Sequence, residues 1–179
     1  MAVLIALVIV VLIAVFLWVH DRRINRHRPR RGDAAPSFSL PDQNGDARSL
    51  DEFRGKPLVL YFYPRDDTPG CAEQAMRFRD AMREFEALGA SVCGVSVNGT
   101  RSHAAFAVKY KLPFPLLSDK SGTVSARYGS IRDFGFWKIA KRNTFLIDGA
   151  GKVSQVYVGV NAGRNARQVL EDLRQPPAR

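Results

Sequence analysis

Apolar and polar positions change their spacing several times along the chain, and each change predicts an element. Ala2 to Val19 is apolar at all eighteen positions, a pattern for a helix with no polar face. At 1.5 Å per residue that helix is about 27 Å long, close to the roughly 30 Å hydrocarbon core of a bilayer. Leu58 to Tyr63 is a shorter aliphatic and aromatic run, as in a strand covered on both faces. Pro64 ends it, because proline donates nothing to a sheet ladder. Asp66, Asp67, Thr68, Pro69 and Gly70 then carry turn chemistry. From Cys71 the spacing becomes helical, with Phe78, Met82, Phe85 and Leu88 on one face and Gly89 as the stop. Cys71 therefore falls in the first turn of a helix.

The remaining pattern alternates strands with helices. Phe38 to Leu50, with Asn44-Gly45 in its middle, reads as a small hairpin. Ala90 to Asn98 is a second buried-type strand, Ser102 to Tyr110 a short helix with Ser102 as its cap, and Pro113 to Leu117 an extended connector or short strand. Ser121 to Tyr128 is another short helix ending at Gly129. Asn143 to Ile147 and Val153 to Gly159 are strands joined through Asp148-Gly149-Ala150-Gly151, hence an antiparallel hairpin. Arg164 to Leu173 is a last helix before Pro176-Pro177. This order predicts an α/β domain with a mixed central sheet flanked by helices, over residues 34–179.

Charge changes the picture at the N-terminal end. No Lys or Arg precedes the apolar run, and six arginines occupy the fourteen residues from His20 to Asp33. With Trp18 at an interfacial position, residues 1–20 read as a transmembrane anchor and 21–33 as a basic juxtamembrane linker. The competing reading, a cleaved signal peptide, expects a basic start, a shorter run and a small-residue cleavage site, and none fits well. The positive-inside rule puts the following domain on the cytoplasmic side of a single-pass cell-membrane protein. The formal net charge of +10 owes six positive charges to this cluster, which suits anionic lipid head groups better than nucleic acid.

Candidate chemistry centres on Cys71. Unpaired N–H groups and the positive end of the helix dipole stabilise an anion in a first turn, and a thiolate is an anion. A helix-start cysteine is thus a candidate nucleophile, and the plain alternative is a small buried hydrophobe. Asp66 and Asp67 read as solvent-facing turn residues, and His103 as a solvated helix residue. Cys93, in the middle of ASVCGVSVN, reads as packed core. Were the two strands parallel neighbours, it would stand on the order of 13 Å from Cys71, against the ~7 Å between Cα atoms that a disulfide permits.

Pro64-Arg65-Asp66-Asp67-Thr68-Pro69-Gly70-Cys71 resembles the Pro-x-x-x-Thr-x-x-Cys signature of the peroxiredoxins. The blocks YFYPRDDTPGC, FRD, GVSV, PFPLLSD and RNTFLID, in that order from Ala34 to about Leu173, are similar to the bacterioferritin comigratory protein, or Q-type, branch. The resemblance does not extend to the apolar N-terminal run. It implies a thioredoxin-like fold and reduction of hydrogen peroxide and organic hydroperoxides by thiol chemistry, with no cofactor and no metal. In those terms Cys71 is the peroxidatic thiolate, which becomes a sulfenic acid. Thr68, Arg142 and the Cys71 backbone N–H are the donors to the reacting oxygens, and Pro64 shields the sulfur. Without the resemblance Arg142 reads as a surface charge and Thr68 as a turn residue.

Departures from the family pattern matter too. Met76 stands where many members carry a resolving cysteine, and Gln74 and Ala72 replace residues that are often Glu and Thr. A one-cysteine mechanism follows, with thioredoxin, glutaredoxin or glutathione as external reductant and a monomer or weak dimer as the expected assembly. The alternative is a membrane-tethered redox sensor or interaction domain. A Cys-x-x-Cys reductase is excluded by the absence of that motif, and a cysteine hydrolase by the want of a suitably placed general-base histidine. Two scattered cysteines give no support to a zinc or haem site.

Overall fold

The computed structural model describes residues 1–24, 28–135 and 137–175, excepting side chains within 2–3, 13–14, 17–18 and 20–24. The side chains of Trp18, His20 and His27, and the Pro176-Pro177 stop, lie outside that description. Helix α1 (Ala2–Ile24) comes first, and its described apolar side chains are exposed, Leu7 at 61% and Val10 at 64%. Among the described residues no helix is long and apolar enough to cross a membrane. A transmembrane helix, expected over residues 1–20, is therefore not shown by the structure.

Strands β1 (Ser39–Pro41) and β2 (Ala47–Ser49) form the small antiparallel hairpin expected around Asn44-Gly45. A single 3-10 turn, Leu50–Phe53, then leads toward the main sheet. Its strands are β3 (Leu58–Phe62), β4 (Ser91–Ser96), β5 (Leu116–Ser118), β8 (Asn143–Ile147) and β9 (Val153–Val158), in the spatial order β5-β4-β3-β8-β9. β3, β4 and β5 run parallel, while β8 is antiparallel to both β3 and β9. The mixed sheet and its flanking helices are those of the predicted α/β class.

Alternation along β3 decides what each face of the sheet carries, because successive side chains point to opposite sides. Val59, Tyr61 and Tyr63 pack with residues of α2 (Pro69–Asp80), α3 (Met82–Ala87), α4 (Thr100–Tyr110) and α6 (Asn165–Leu173). Leu58, Leu60 and Phe62 pack on the other face with Phe38, Leu50, Phe53 and Val124, the last from α5 (Thr123–Arg127). Cys71 belongs to the first cluster and Cys93 to the second. The sheet thus lies between the two cysteines.

Several elements differ from the predicted ones. The helix expected from Cys71 to Leu88 begins at Pro69 and breaks at Ala81, so that α2 and α3 are separate. Helix α4 begins at Thr100 after Gly99, and Ser102 is not its cap. The hydroxyl of Ser102 turns instead to the Asp66 carboxylate. A second hairpin, β6 (Ile131–Asp133) and β7 (Lys138–Ala140), has no counterpart in the predicted pattern. Its strands are three residues long, too short for a two-residue alternation to register.

Candidate active site

The site forms where β3 ends and β8 begins. β3 and β8 pair antiparallel with Phe62 opposite Asn143, so Arg142, one residue earlier, emerges beside the turn that starts at Pro64. The Val160 N–H donates to the Arg142 carbonyl at 3.0 Å and fixes its backbone. Pro69 stands at the first helical position, where its missing N–H costs nothing. Cys71 follows as the third residue of α2, 1% exposed.

The Arg142 guanidinium spans the turn. Its Nη2 donates to Cys71 Sγ at 3.3 Å, and its Nη1 donates to the Gly70 carbonyl at 3.2 Å and to Gln74 Oε1 at 2.7 Å. Gly70 allows this approach, since a Cβ there would stand only 3.3 Å from Nη2. Gln74 passes the connection on: its Nε2 donates to Asn165 Oδ1 at 2.9 Å, which also accepts from the Thr144 hydroxyl at 2.8 Å. Gln74, Asn165 and Thr144 are all fully buried. A planar fork of donors on a charge that cannot be lost is thereby held against the sulfur.

The other expected site residues are placed less directly. Thr68 is the N-cap of α2, in extended conformation, and its hydroxyl donates to the Arg65 carbonyl at 3.1 Å. The Cys71 backbone N–H, expected as a donor to the reacting oxygen, is engaged by the Thr68 carbonyl at 3.0 Å. That bond is the ordinary consequence of capping the helix here. Pro64 lines a cleft of about 450 Å³ together with Ile139, Arg142, Val158 and Val160. Arg142 is the residue that both lines this cleft and touches the thiol.

Two expectations are overturned beside the site. Asp66, read as solvent-facing, is 8% exposed, and His103, read as solvated, is fully buried. The two are bonded, His103 Nδ1 standing 2.9 Å from Asp66 Oδ2. Burial pushes the Asp66 carboxyl up, but hydrogen bonds from His103, Ser102 and Tyr63 outweigh it and leave the group below its usual range. Periodicity misses this pair because short polar side chains in a turn carry no signal of what folds over them. Asp67 matches the expectation in being exposed, yet it accepts from Lys109 and Tyr110. Gln74 shows in the sequence only as a departure three residues after Cys71, on the same side of the helix. For Asn165 and Thr144 there was no sequence signal beyond helix start and strand alternation.

Cys93 is buried core, as expected, and burial pushes its thiol well up. Neither cysteine is in a disulfide. Among the described residues there is no group of three or more His, Cys, Asp or Glu able to hold a metal ion.

Residues 31–156 match the model of the AhpC/TSA family. A putative peroxiredoxin bcp of Coxiella burnetii is 43% identical over 146 residues, which are 79% of this chain and 97% of that protein. The chloroplastic peroxiredoxin Q of Populus jackii is 46% identical over 127 residues, 71% of this chain and 59% of the longer relative. Among solved structures, peroxidoxin BcpB of Mycobacterium tuberculosis superposes with a TM-score of 0.79 at 39% identity, covering 82% of this chain and 97% of that one. A peroxiredoxin Q of Xylella fastidiosa gives 0.77 at 28% identity, with 82% and 96% covered. Together with a lone buried cysteine at a helix start, under a guanidinium fork, these matches establish that the chain belongs to the AhpC/TSA family and, within it, to the peroxiredoxin Q, or bacterioferritin comigratory protein, group of thiol-dependent peroxidases.

Proposed function

We propose that this chain reduces hydrogen peroxide and organic hydroperoxides at Cys71 by a one-cysteine cycle. The thiolate attacks one peroxide oxygen; an S–O bond forms as the O–O bond breaks, and the other oxygen leaves as water or alcohol after taking a proton. Negative charge shifts to the leaving oxygen, and Arg142, a donor already aimed at the sulfur, is the group that meets it. On this reading Thr68 supports the reacting oxygens from the helix cap, and Pro64 shields the sulfur from water. The observation that carries this reading is the 3.3 Å contact from Arg142 Nη2 to Cys71 Sγ.

Cys71 and Cys93 pack on opposite faces of the sheet, and Met76 occupies the nearer position on α2. An external thiol, thioredoxin, glutaredoxin or glutathione, therefore returns the sulfenic acid to the thiol. The test is intact-mass and peptide analysis of the reduced protein after one equivalent of hydrogen peroxide. A fast gain of one oxygen at Cys71, absent in Cys71→Ser, is expected. Loss of two hydrogens with a Cys71–Cys93 crosslink would refute the one-cysteine cycle.

Residues 1–20 are proposed as a membrane anchor and 21–33 as a basic linker, leaving 34–179 as the catalytic domain on the cytoplasmic face. The support is the unbroken apolar run of Ala2 to Val19 and the arginines behind it, with helical backbone over the same stretch and side chains such as Leu7 and Val10 left uncovered. Recovery of the full chain in the carbonate-washed membrane fraction is expected, and its release by carbonate would remove the anchor.

A further inference from the structure

The turn between β3 and α2 is bonded to α4 at two points by groups that the peroxide chemistry does not use. At the first, the Asp66 carboxylate accepts from the Tyr63 hydroxyl at 2.8 Å and from the Ser102 hydroxyl at 2.6 Å. His103 Nδ1 stands 2.9 Å from Oδ2 and 3.1 Å from Oδ1. On the far side of the ring, Nε2 faces the Leu117 carbonyl at 3.3 Å. The Asp66 backbone N–H donates to Asn98 Oδ1 at 3.1 Å, and the Ser118 hydroxyl donates to the Asn98 carbonyl at 2.6 Å. At the second point the exposed Asp67 accepts from Lys109 Nζ at 2.8 Å and from the Tyr110 hydroxyl at 2.7 Å.

A turn that only reversed the chain could keep both aspartates in water. Burying a carboxylate and an imidazole is costly unless donors converge on them, and here three side chains converge on one carboxylate. The gain is placement. Asp66 lies two residues before the cap Thr68, whose carbonyl accepts from the Cys71 N–H, and Pro69 stiffens the step between. Fixing Asp66 to α4 therefore fixes where α2 starts. Arg142 approaches from β8 on the other side, so the Sγ to Nη2 contact depends on two independently held partners. Among the described residues His103 Nδ1 faces Asp66 and Tyr63 and Nε2 faces the Leu117 carbonyl, so both ring nitrogens are engaged away from the thiol.

We infer that Asp66 and His103 are positioning residues for the peroxidase: a buried carboxylate–imidazole pair that pins the Pro64 to Cys71 turn to α4 and holds Cys71 Sγ in register with Arg142. The inference rests on Cys71 being the peroxide-reducing thiol. A misplacement of about 1 Å at a reacting atom can cost roughly a hundredfold in rate, so a loosened turn has a kinetic signature beyond lost stability.

The test uses the full chain with Asp66→Asn, His103→Ala, His103→Gln and, as the mildest change, Ser102→Ala. Two quantities are read: the second-order rate constant for Cys71 oxidation by hydrogen peroxide, and amide hydrogen exchange over residues 64–72 against that over α6. Asp66→Asn and His103→Ala are expected to slow oxidation at least about tenfold, with exchange faster over 64–72 and unchanged over α6. Ser102→Ala is expected to slow it about two- to threefold, and His103→Gln, which keeps an amide donor for Asp66, to recover part of the loss in His103→Ala. Folded variants that oxidise at the unsubstituted rate overturn the inference. So does exchange that quickens equally throughout the chain, with no rate loss per folded molecule. Failure of the peroxidase reading looks different, because the unsubstituted protein is then slow as well.

Discussion

Replacing Gln74 by Leu separates the guanidinium from the buried chain behind it at nearly constant volume. The substitution removes two bonds: the charge-assisted one from Arg142 Nη1 at 2.7 Å and the neutral one to Asn165 Oδ1 at 2.9 Å. The first contributes about 1.5–3 kcal/mol and the second about 0.5–1.5 kcal/mol, or roughly 2–4.5 kcal/mol together. Because Gln74 is fully buried, the leucine regains some of this through apolar burial, about 1–2 kcal/mol on the usual area scale. A net loss of up to about 3.5 kcal/mol remains, equivalent to a fall in Tm of up to roughly 14 °C for a domain of this size. Arg142 keeps its bond to the Gly70 carbonyl, so its charge stays near the sulfur while its orientation is freed. The expected kinetic consequence is a drop of about ten- to a hundredfold in Cys71 oxidation. Thermal unfolding by circular dichroism gives the first number, and stopped-flow oxidation with trapping of the sulfenic acid gives the second. Lower stability with an unchanged oxidation rate would refute the reasoning, since Gln74 would then be structural only.

Other changes test separate parts of the molecule. The Tyr61 hydroxyl is fully buried with no hydrogen-bond partner among the described residues, so Tyr61→Phe is expected to leave stability unchanged or raise it by about 1 kcal/mol in urea unfolding; a loss of that size would mean that the hydroxyl is satisfied. The Asp66 carboxyl lies below its ordinary range in the folded protein, so its contribution is complete above about pH 4. That contribution disappears as the pH falls through the folded value, and Asp66→Asn should flatten the stability profile on that acid limb. Cys93→Ser is expected to leave the rate and product of the first oxidation at Cys71 unchanged, with mass analysis as the check; a slower turnover with dithiol reductant would instead give Cys93 a part in the cycle.

Those parts of the molecule that rest on long periodic runs were readable from the residues alone. The central strand and the closing hairpin carry apolar patterns over five or more positions and lie where the pattern puts them, while the helix bearing Cys71 was readable in kind but not in extent, since it starts at Pro69 and breaks at Ala81. Cys93 was legible as core for the same reason, though its position on the far face of the sheet became clear only with the parallel register of β3 and β4. Asp66 and His103 were misread because composition assigns turn aspartates and helix-start histidines to water. Their burial depends on α4 folding across the turn, a contact 37 residues apart in sequence. Arg142 owed its place to the family motif, and Gln74 with Asn165 to packing 91 residues apart. Polar networks closed by tertiary contacts leave no spacing to read.

The sheet between the two cysteines bears on what happens after the first oxidation. On the one-cysteine cycle proposed above, nothing in the chain intercepts the oxidised sulfur, so its lifetime is set by encounters with outside molecules. Thiol and a second peroxide then compete for it as two pseudo-first-order processes, one restoring the enzyme and the other giving sulfinic acid. The fraction of molecules lost at each turnover is therefore a ratio of two concentrations weighted by two rate constants. A protein built in this way records the local balance of peroxide to thiol as a running toll of inactivated copies.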